Sequence, residues 1–196
     1  MTVRAFHFVS AATALLLTTA VCSFSLPAQA QDASGFRLEA LNGICSDVRA
    51  ANVSRYEAKI AEAAGVRPDD TPAQRRARIA ALFSQFMPHC DGFNVRQGNI
   101  LKYAVSQNAS SFIYAAIHTW GVDLNQVDAS DGRTVLDYVN AGIARNVGSI
   151  RDRLIGYGDE LVRGGAKTRA QAEAEGRTYP GIPSIAEIEA QARPQQ

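Results

Sequence analysis

The chain has 196 residues, 46% of them apolar and 8% aromatic, with 20 Lys and Arg against 19 Asp and Glu. That length is a prior for one or two domains, and the apolar share is ordinary for a packed core. The near-zero charge excludes a nucleic-acid binder, which needs a basic excess to neutralise phosphates, and a protein held electrostatically on an anionic membrane.

Residues 1–30 carry one charge, Arg4, then an apolar run through Leu15, Leu16 and Leu17, and finally Ala28, Gln29 and Ala30. A positive start, a short apolar stretch and a small-x-small site read as a secretory signal peptide. The run is short and rich in Thr and Ser for a membrane span; an uncleaved N-terminal anchor is the alternative. Cys22 lies inside this leader, so a mature chain starting at Gln31 keeps two cysteines, Cys45 and Cys90. In an exported chain such a pair is most simply one disulfide. The rival is a metal site of Cys45, His89, Cys90 and Asp91, but adjacent His89 and Cys90 lack the gap of a paired-ligand knuckle. No metal is expected.

The stretch 35–91 reads as helical, with caps marking its breaks. Ser54 and Glu57 have the spacing of a capping box, followed by Tyr56, Ile60, Ala61 and Ala64 on one face before Gly65 stops the helix. Thr71 is an N-cap ahead of Pro72 at the first helical position, with Gln74 completing a box. Ile79, Leu82, Phe83 and Phe86 then form an amphipathic stripe that Pro88 ends. Arg75, Arg76 and Arg78 read as a solvated face. Further helical patterns occur at 100–105, 112–120, 135–143 and 150–161, and no period-two alternation is long enough to predict a sheet. The Gly, Asp and Asn clusters at 121–125 and 128–132 are turn chemistry.

Two segments within 92–167 align. Leu101 with Leu136, and Ala104 with Val139, are both offset by 35 residues. Gly121, Val122 and Asp123 resemble Gly165, Ala166 and Lys167 at an offset of 44, so the second copy carries an insertion. At these residues the chain resembles the ankyrin-repeat family, whose unit opens with Asp-x-x-Gly-x-Thr-Pro-Leu-His-x-Ala and closes with Gly-Ala-Asp-x-Asn. Residues 129–139 follow that opening, with Val135 for Pro and Asp137 for His, while Asn99 and Ile100 stand where the first copy would have Thr-Pro. Residues 121–125 match the closing turn, and 161–167 look like a final repeat's ending.

The resemblance implies an all-α fold, a short ankyrin-like helical solenoid over 92–167 with 31–91 as an N-terminal helical cap. Such a cap is needed because a stack of fewer than about three units rarely stands alone. A Cys45–Cys90 bond would staple the cap to the entrance of the repeats. Residues 168–196 are expected to be a flexible polar tail in which Ser184 and Glu187 cap a two-turn helix. The carried-over binding surface comprises the turn tips Gln126, Val127, Asp128, Ser130, Asp131 and Arg133 and the exposed first-helix positions Lys102, Ser106 and Gln107. Trp120 reads either as an interface anchor or as an aromatic packed under the cap.

Little catalytic patterning is present. There is no nucleophile elbow, zinc helix or phosphate loop. His118 reads as a packing or surface residue, Gly156 and Gly158 as a helix kink or break, and Asp123, Asp128 and Asp131 as turn caps rather than cation ligands. The expectation is a periplasmic or secreted, monomeric, non-enzymatic interaction module that binds or restrains another envelope protein. It needs no cofactor, no nucleic acid and, after cleavage, no membrane span. The alternative is a small envelope hydrolase using Asp159 and Glu160. Intact mass of the fractionated protein should show a chain beginning at Gln31 outside the cytoplasm; a cytoplasmic product retaining residues 1–30 overturns this and the compartment argument for the disulfide.

Overall fold

In the computed structural model, which describes residues 35–92 and 95–191, most of the predicted helices form where local chemistry places them. The predicted leader, residues 1–30, lies outside the described residues. A 3-10 turn at Leu38–Leu41 leads into α1 (Ile44–Arg49) and α2 (Val53–Ala63). The expected box at Ser54 and Glu57 does not cap α2. Ala51 turns the chain at φ 53°, helix α2 begins at Val53, and the Ser54 hydroxyl lies 3.5 Å from Asn52 Oδ1 instead of on a backbone amide. Helix α3 (Pro72–Gln85) starts as the sequence predicts, with Thr71 and Gln74 exchanging side-chain and backbone bonds, and it buries Ile79, Leu82 and Phe83.

The described chain is mostly helical, as the predicted all-α class has it, and the departure from that reading is one short hairpin where no sheet was expected. Strands β1 (His89–Gly92) and β2 (Val95–Asn99) form an antiparallel hairpin, pairing His89 with Asn99 and Cys90 with Gly98, with an irregularity between Cys90 and Gly92. Strands this short show no periodic signature in sequence, and this pairing is fixed from outside: Cys90 is bonded to Cys45, and Ile100 N donates to Pro88 O at 2.8 Å. Elsewhere the described chain is mostly helical.

Helix α4 (Ile100–Ser106) is followed by α5 (Ser110–Tyr114), which widens into a π-helical turn, Ala115–Trp120. Helices α6 (Val135–Arg145) and α7 (Gly148–Arg163) form the longest antiparallel pair. Helix α1 packs on α4 and α4 on α6, so the first helix of each pair lies beside the next. Helix α7 runs unbroken through Gly156 and Gly158, against the expected kink. A Cβ on Gly156 would meet nothing within 4 Å and one on Gly158 would make ordinary contact 3.6 Å from Val139 Cγ1, whereas one on Gly142 of α6 would stand 2.9 Å from Leu154 Cδ1, so the close approach of the two helices falls at Gly142.

Trp120 resolves its two readings by burial. It is 3% exposed, stacked 6.2 Å from Phe83 of α3 and set edge-on to Phe112 at 5.0 Å and to Tyr56 of α2 at 6.2 Å. It is a core aromatic under the N-terminal helices, not an interface anchor. Arg76 is likewise more than a solvated charge. It crosses from α3 to donate to His118 O at 2.5 Å, taking up a carbonyl that the widened end of the turn leaves free.

Residues 168–191, expected to be a flexible tail, carry α8 (Arg169–Ala174) and α9 (Ile185–Gln191) and lie against the body through Arg169, Arg177 and Tyr179. Ser184 and Glu187 cap α9 as the sequence predicts.

The predicted disulfide joins Cys45 of α1 to Cys90 of β1, with Cα atoms 5.7 Å apart across 45 residues. A loop of that length implies about 4 kcal/mol of unfolded-state restraint. Cys45→Ala and Cys90→Ala should each lose about that much in denaturant melts, and the double variant should lose no more; two free thiols detected by alkylation of the native protein would overturn the bond.

Candidate binding surface

The nine predicted binding residues do not share one exposed face. Lys102, expected to be exposed on the first helix, has no solvent exposure. Its side chain turns inward because two carboxylates wait there: Nζ lies 2.5 Å from Asp131 Oδ1 and 3.2 Å from Asp128 Oδ2. Asp128 is buried in turn and is therefore not a free tip. Its Oδ2 accepts from Asn99 N at 2.7 Å, and its Oδ1 accepts from Ser130 N at 2.9 Å and from the Ser130 hydroxyl at 2.7 Å. His89 Nε2 stands 3.4 Å from the same Oδ1. Burial alone would raise the Asp128 carboxyl, but Lys102 and the bonds from Ser130 and Asn99 outweigh it and hold the pKa down at about 2.

Ser106 and Gln107 are half-buried at the end of α4, where Ser106 Oγ donates to Tyr103 O at 2.7 Å and Gln107 Nε2 to Ser106 Oγ at 3.1 Å. Gln126, also half-buried, donates to Phe83 O at 3.0 Å and ties the turn to the end of α3. Val127 is partly exposed, Ser130 is exposed, and Asp131 and Arg133 are partly exposed. The turn tips that remain accessible thus centre on Ser130 and Arg133. Asp123, Asp128 and Asp131 do act as turn caps, each accepting from the backbone amide two residues on.

A third helix start escaped the sequence reading. Asn99, Thr134 and Thr168 each N-cap a first helix, accepting from Lys102 N, Asp137 N and Gln171 N. These starts are bonded from one layer to the next. Thr134 Oγ1 donates to Lys167 O at 2.9 Å, Arg169 N donates to Asp137 Oδ2 at 2.9 Å, and Asn125 Oδ1 accepts from Lys167 N at 2.6 Å. Thr168 with Gln171 has the same Thr-x-x-acceptor spacing as Thr134 with Asp137, a signal that was available in the sequence. The closing turns match too, with Gly121 at φ 64° and Gly165 at φ 89°, where a side chain would be strained.

On the side formed by the second helices, a groove of about 670 Å³ opens between α2, α5 and α7. Val53, Ser111, Tyr114, Arg153 and Tyr157 line it, and Tyr157 Oη meets Asn108 Oδ1 at 3.1 Å. Glu160 stands at its edge, 2.7 Å from His118 Nε2 and paired with Arg163; the His118 hydrogen bond, with help from Arg163, holds its carboxyl below the usual range. Asp159 does not join it. That carboxylate opens onto a separate depression beside Gly165 and Lys167. No group of three or more metal-ligating side chains is found among the described residues. Comparisons with protein-family models, curated proteins and solved structures found no match for this chain.

Because Asp128 is depressed, its contribution to stability is complete above the ordinary value of 3.8 and is lost as pH falls through about 2. Denaturant melts between pH 5 and pH 2 should show a loss of about 2 kcal/mol from this group. Asp128→Asn at pH 7, which leaves Lys102 buried beside Asp131 alone, should cost about 3 kcal/mol and flatten that part of the acid profile; an unchanged profile in the variant shows that Asp128 is not its source.

Proposed function

We propose that this chain is an exported, monomeric, non-enzymatic protein–protein interaction module of ankyrin-like architecture, which binds or restrains another protein of the cell envelope. The observation that carries this reading is the succession of capped helix starts at Asn99, Thr134 and Thr168, bonded layer to layer. Repeat architectures use such rigid succession to present turns side by side as a recognition surface. The turn 128–133 is held in that way from below, by Lys102 and Asn99, while Ser130 and Arg133 remain reachable from outside.

The Cys45–Cys90 bond supports an oxidising compartment. Among the described residues no helix is long and apolar enough to cross a membrane. The hydrolase alternative has less behind it. Paired carboxylate chemistry needs both groups on one substrate, and Asp159 and Glu160 open onto different depressions, with Glu160 already engaged by His118 and Arg163.

Cross-linking capture from envelope extract tests the reading. Wild-type mature protein should retain a discrete partner, the double variant Ser130→Arg with Arg133→Glu should lose it, and Val147→Ser, at an exposed site away from the turns, should keep it. Equal capture by all three proteins counts against the turn face, and substrate turnover abolished by Glu160→Gln would favour the hydrolase.

A further inference from the structure

Residues 177–191 lie across the turn face and hold it through few contacts. Arg177 pairs with Asp123, Tyr179 Oη donates to Asn125 O at 2.8 Å, and Glu189 meets Arg133 at 2.7 Å. Beneath them sits Arg169, only 6% exposed, whose guanidinium donates to Gly132 O at 3.1 Å, Ile182 O at 3.1 Å, Pro183 O at 2.6 Å and Glu173 Oε1 at 2.7 Å. Gly132 provides the room for an aliphatic side chain above it: a Cβ there would stand 2.9 Å from Ile188 Cδ1.

The occupant is weakly housed. Helix α9 buries none of its residues, and at 7 residues it is far below the length, about 12 to 15, at which a helix persists alone in water. A segment with so little buried surface opens at low free energy while the body stays folded. The cleft beneath it is the opposite. Arg169 is held from the body side by Gly132 O and Glu173, so its guanidinium keeps its place when the tail leaves and presents two N–H donors to whatever peptide lies there next.

We propose that the cleft formed by Gly132, Arg133 and Arg169 is a receptor site for an acidic, aliphatic-containing peptide segment of a partner protein, and that residues 182–189 of this chain occupy it until such a segment displaces them. The inference rests on the interaction-module reading and specifies the chemistry of its partner. Arg169 takes two successive backbone carbonyls, which any extended peptide offers. The hollow over Gly132 takes one aliphatic side chain, and Arg133 takes a carboxylate next to it, as Ile188 and Glu189 do now. Tethering keeps the native tail at an effective concentration on the order of millimolar, so it excludes weak ligands and yields to tight ones.

The probe is a fluorescent synthetic peptide of residues 178–196, titrated into the mature protein and followed by anisotropy. Wild type, with its own tail in place, should bind it poorly. The tail variant Ile188→Asp with Glu189→Lys alters only exposed or half-exposed positions and should bind it about tenfold more tightly. Adding Arg133→Glu to that variant should remove most of the gain, and a peptide carrying Glu189→Arg should restore it. The proposal is overturned if the tail variant binds no better than wild type, if a scrambled peptide of equal charge binds equally well, or if the charge-swapped pair fails to recover. Failure of envelope capture alongside a successful peptide titration would sink the envelope-partner reading alone.

Discussion

A lysine ammonium taken wholly out of water needs anionic partners held close, and most of the turn face is arranged to supply them. Lys102 lies on α4, while Asp128 and Asp131 lie on the turn before α6, so satisfying one side chain fixes the distance between two helix pairs. Asp128 Oδ2, the oxygen that faces Lys102, also accepts from the amide of Asn99, and Asn99 caps the helix that carries Lys102. The circuit closes on itself. Removing Asp128 takes a partner from the buried Lys102 ammonium and from Asn99 N at once, a larger cost than the modest net gain of each bond. The positions of Ser130, Gly132 and Arg133 follow from that circuit, because they belong to the same short turn.

The N-terminal half is joined to this circuit by different means. Four aromatic rings, Tyr56, Phe83, Phe112 and Trp120, come from α2, α3, α5 and the end of the π turn, and their stacked and edge-to-face contacts knit the first helices to the second pair. The disulfide adds a covalent tie from α1 to the hairpin that precedes α4. Apolar burial, a covalent link and a buried charge circuit thus act on successive layers. The C-terminal helices have none of these except Arg169, and α9 rests on surface contacts. The gradient from a tightly packed body to a lightly held tail is what allows one segment to leave without disturbing the rest.

Much of the helical framework was legible in the residues. Thr71 with Pro72 and Gln74, and the box at Ser184 and Glu187, depend on neighbours within one turn of chain and form as read; of the stripe Ile79, Leu82, Phe83 and Phe86 the first three are buried, while Phe86 lies past the end of α3 and is exposed. The readings that failed depend on distant partners. Ser54 lost its capping role to the turn at Ala51, the hairpin at His89–Asn99 had no alternation to announce it, and α7 continues through Gly156 and Gly158 without a break. The candidate site was the least legible part. A lysine expected to be exposed on its helix and an aspartate in a turn carry no local mark of being buried against each other.

The sequence by itself determined the starts of α3 and α9, the pairing of Cys45 with Cys90 and the 35-residue offset of α6 from α4, because capping, compartment chemistry and spacing act over short range or by simple count. Only the tertiary structure decided which polar residues are accessible. It buried Lys102, Asp128 and Trp120, left Ser130 and Arg133 at the surface, and laid residues 177–191 over Gly132 and Arg169. The physical reason is that exposure belongs to no residue alone: a charge is buried when an opposite charge from another element can meet it there, and that meeting is set by how the layers pack.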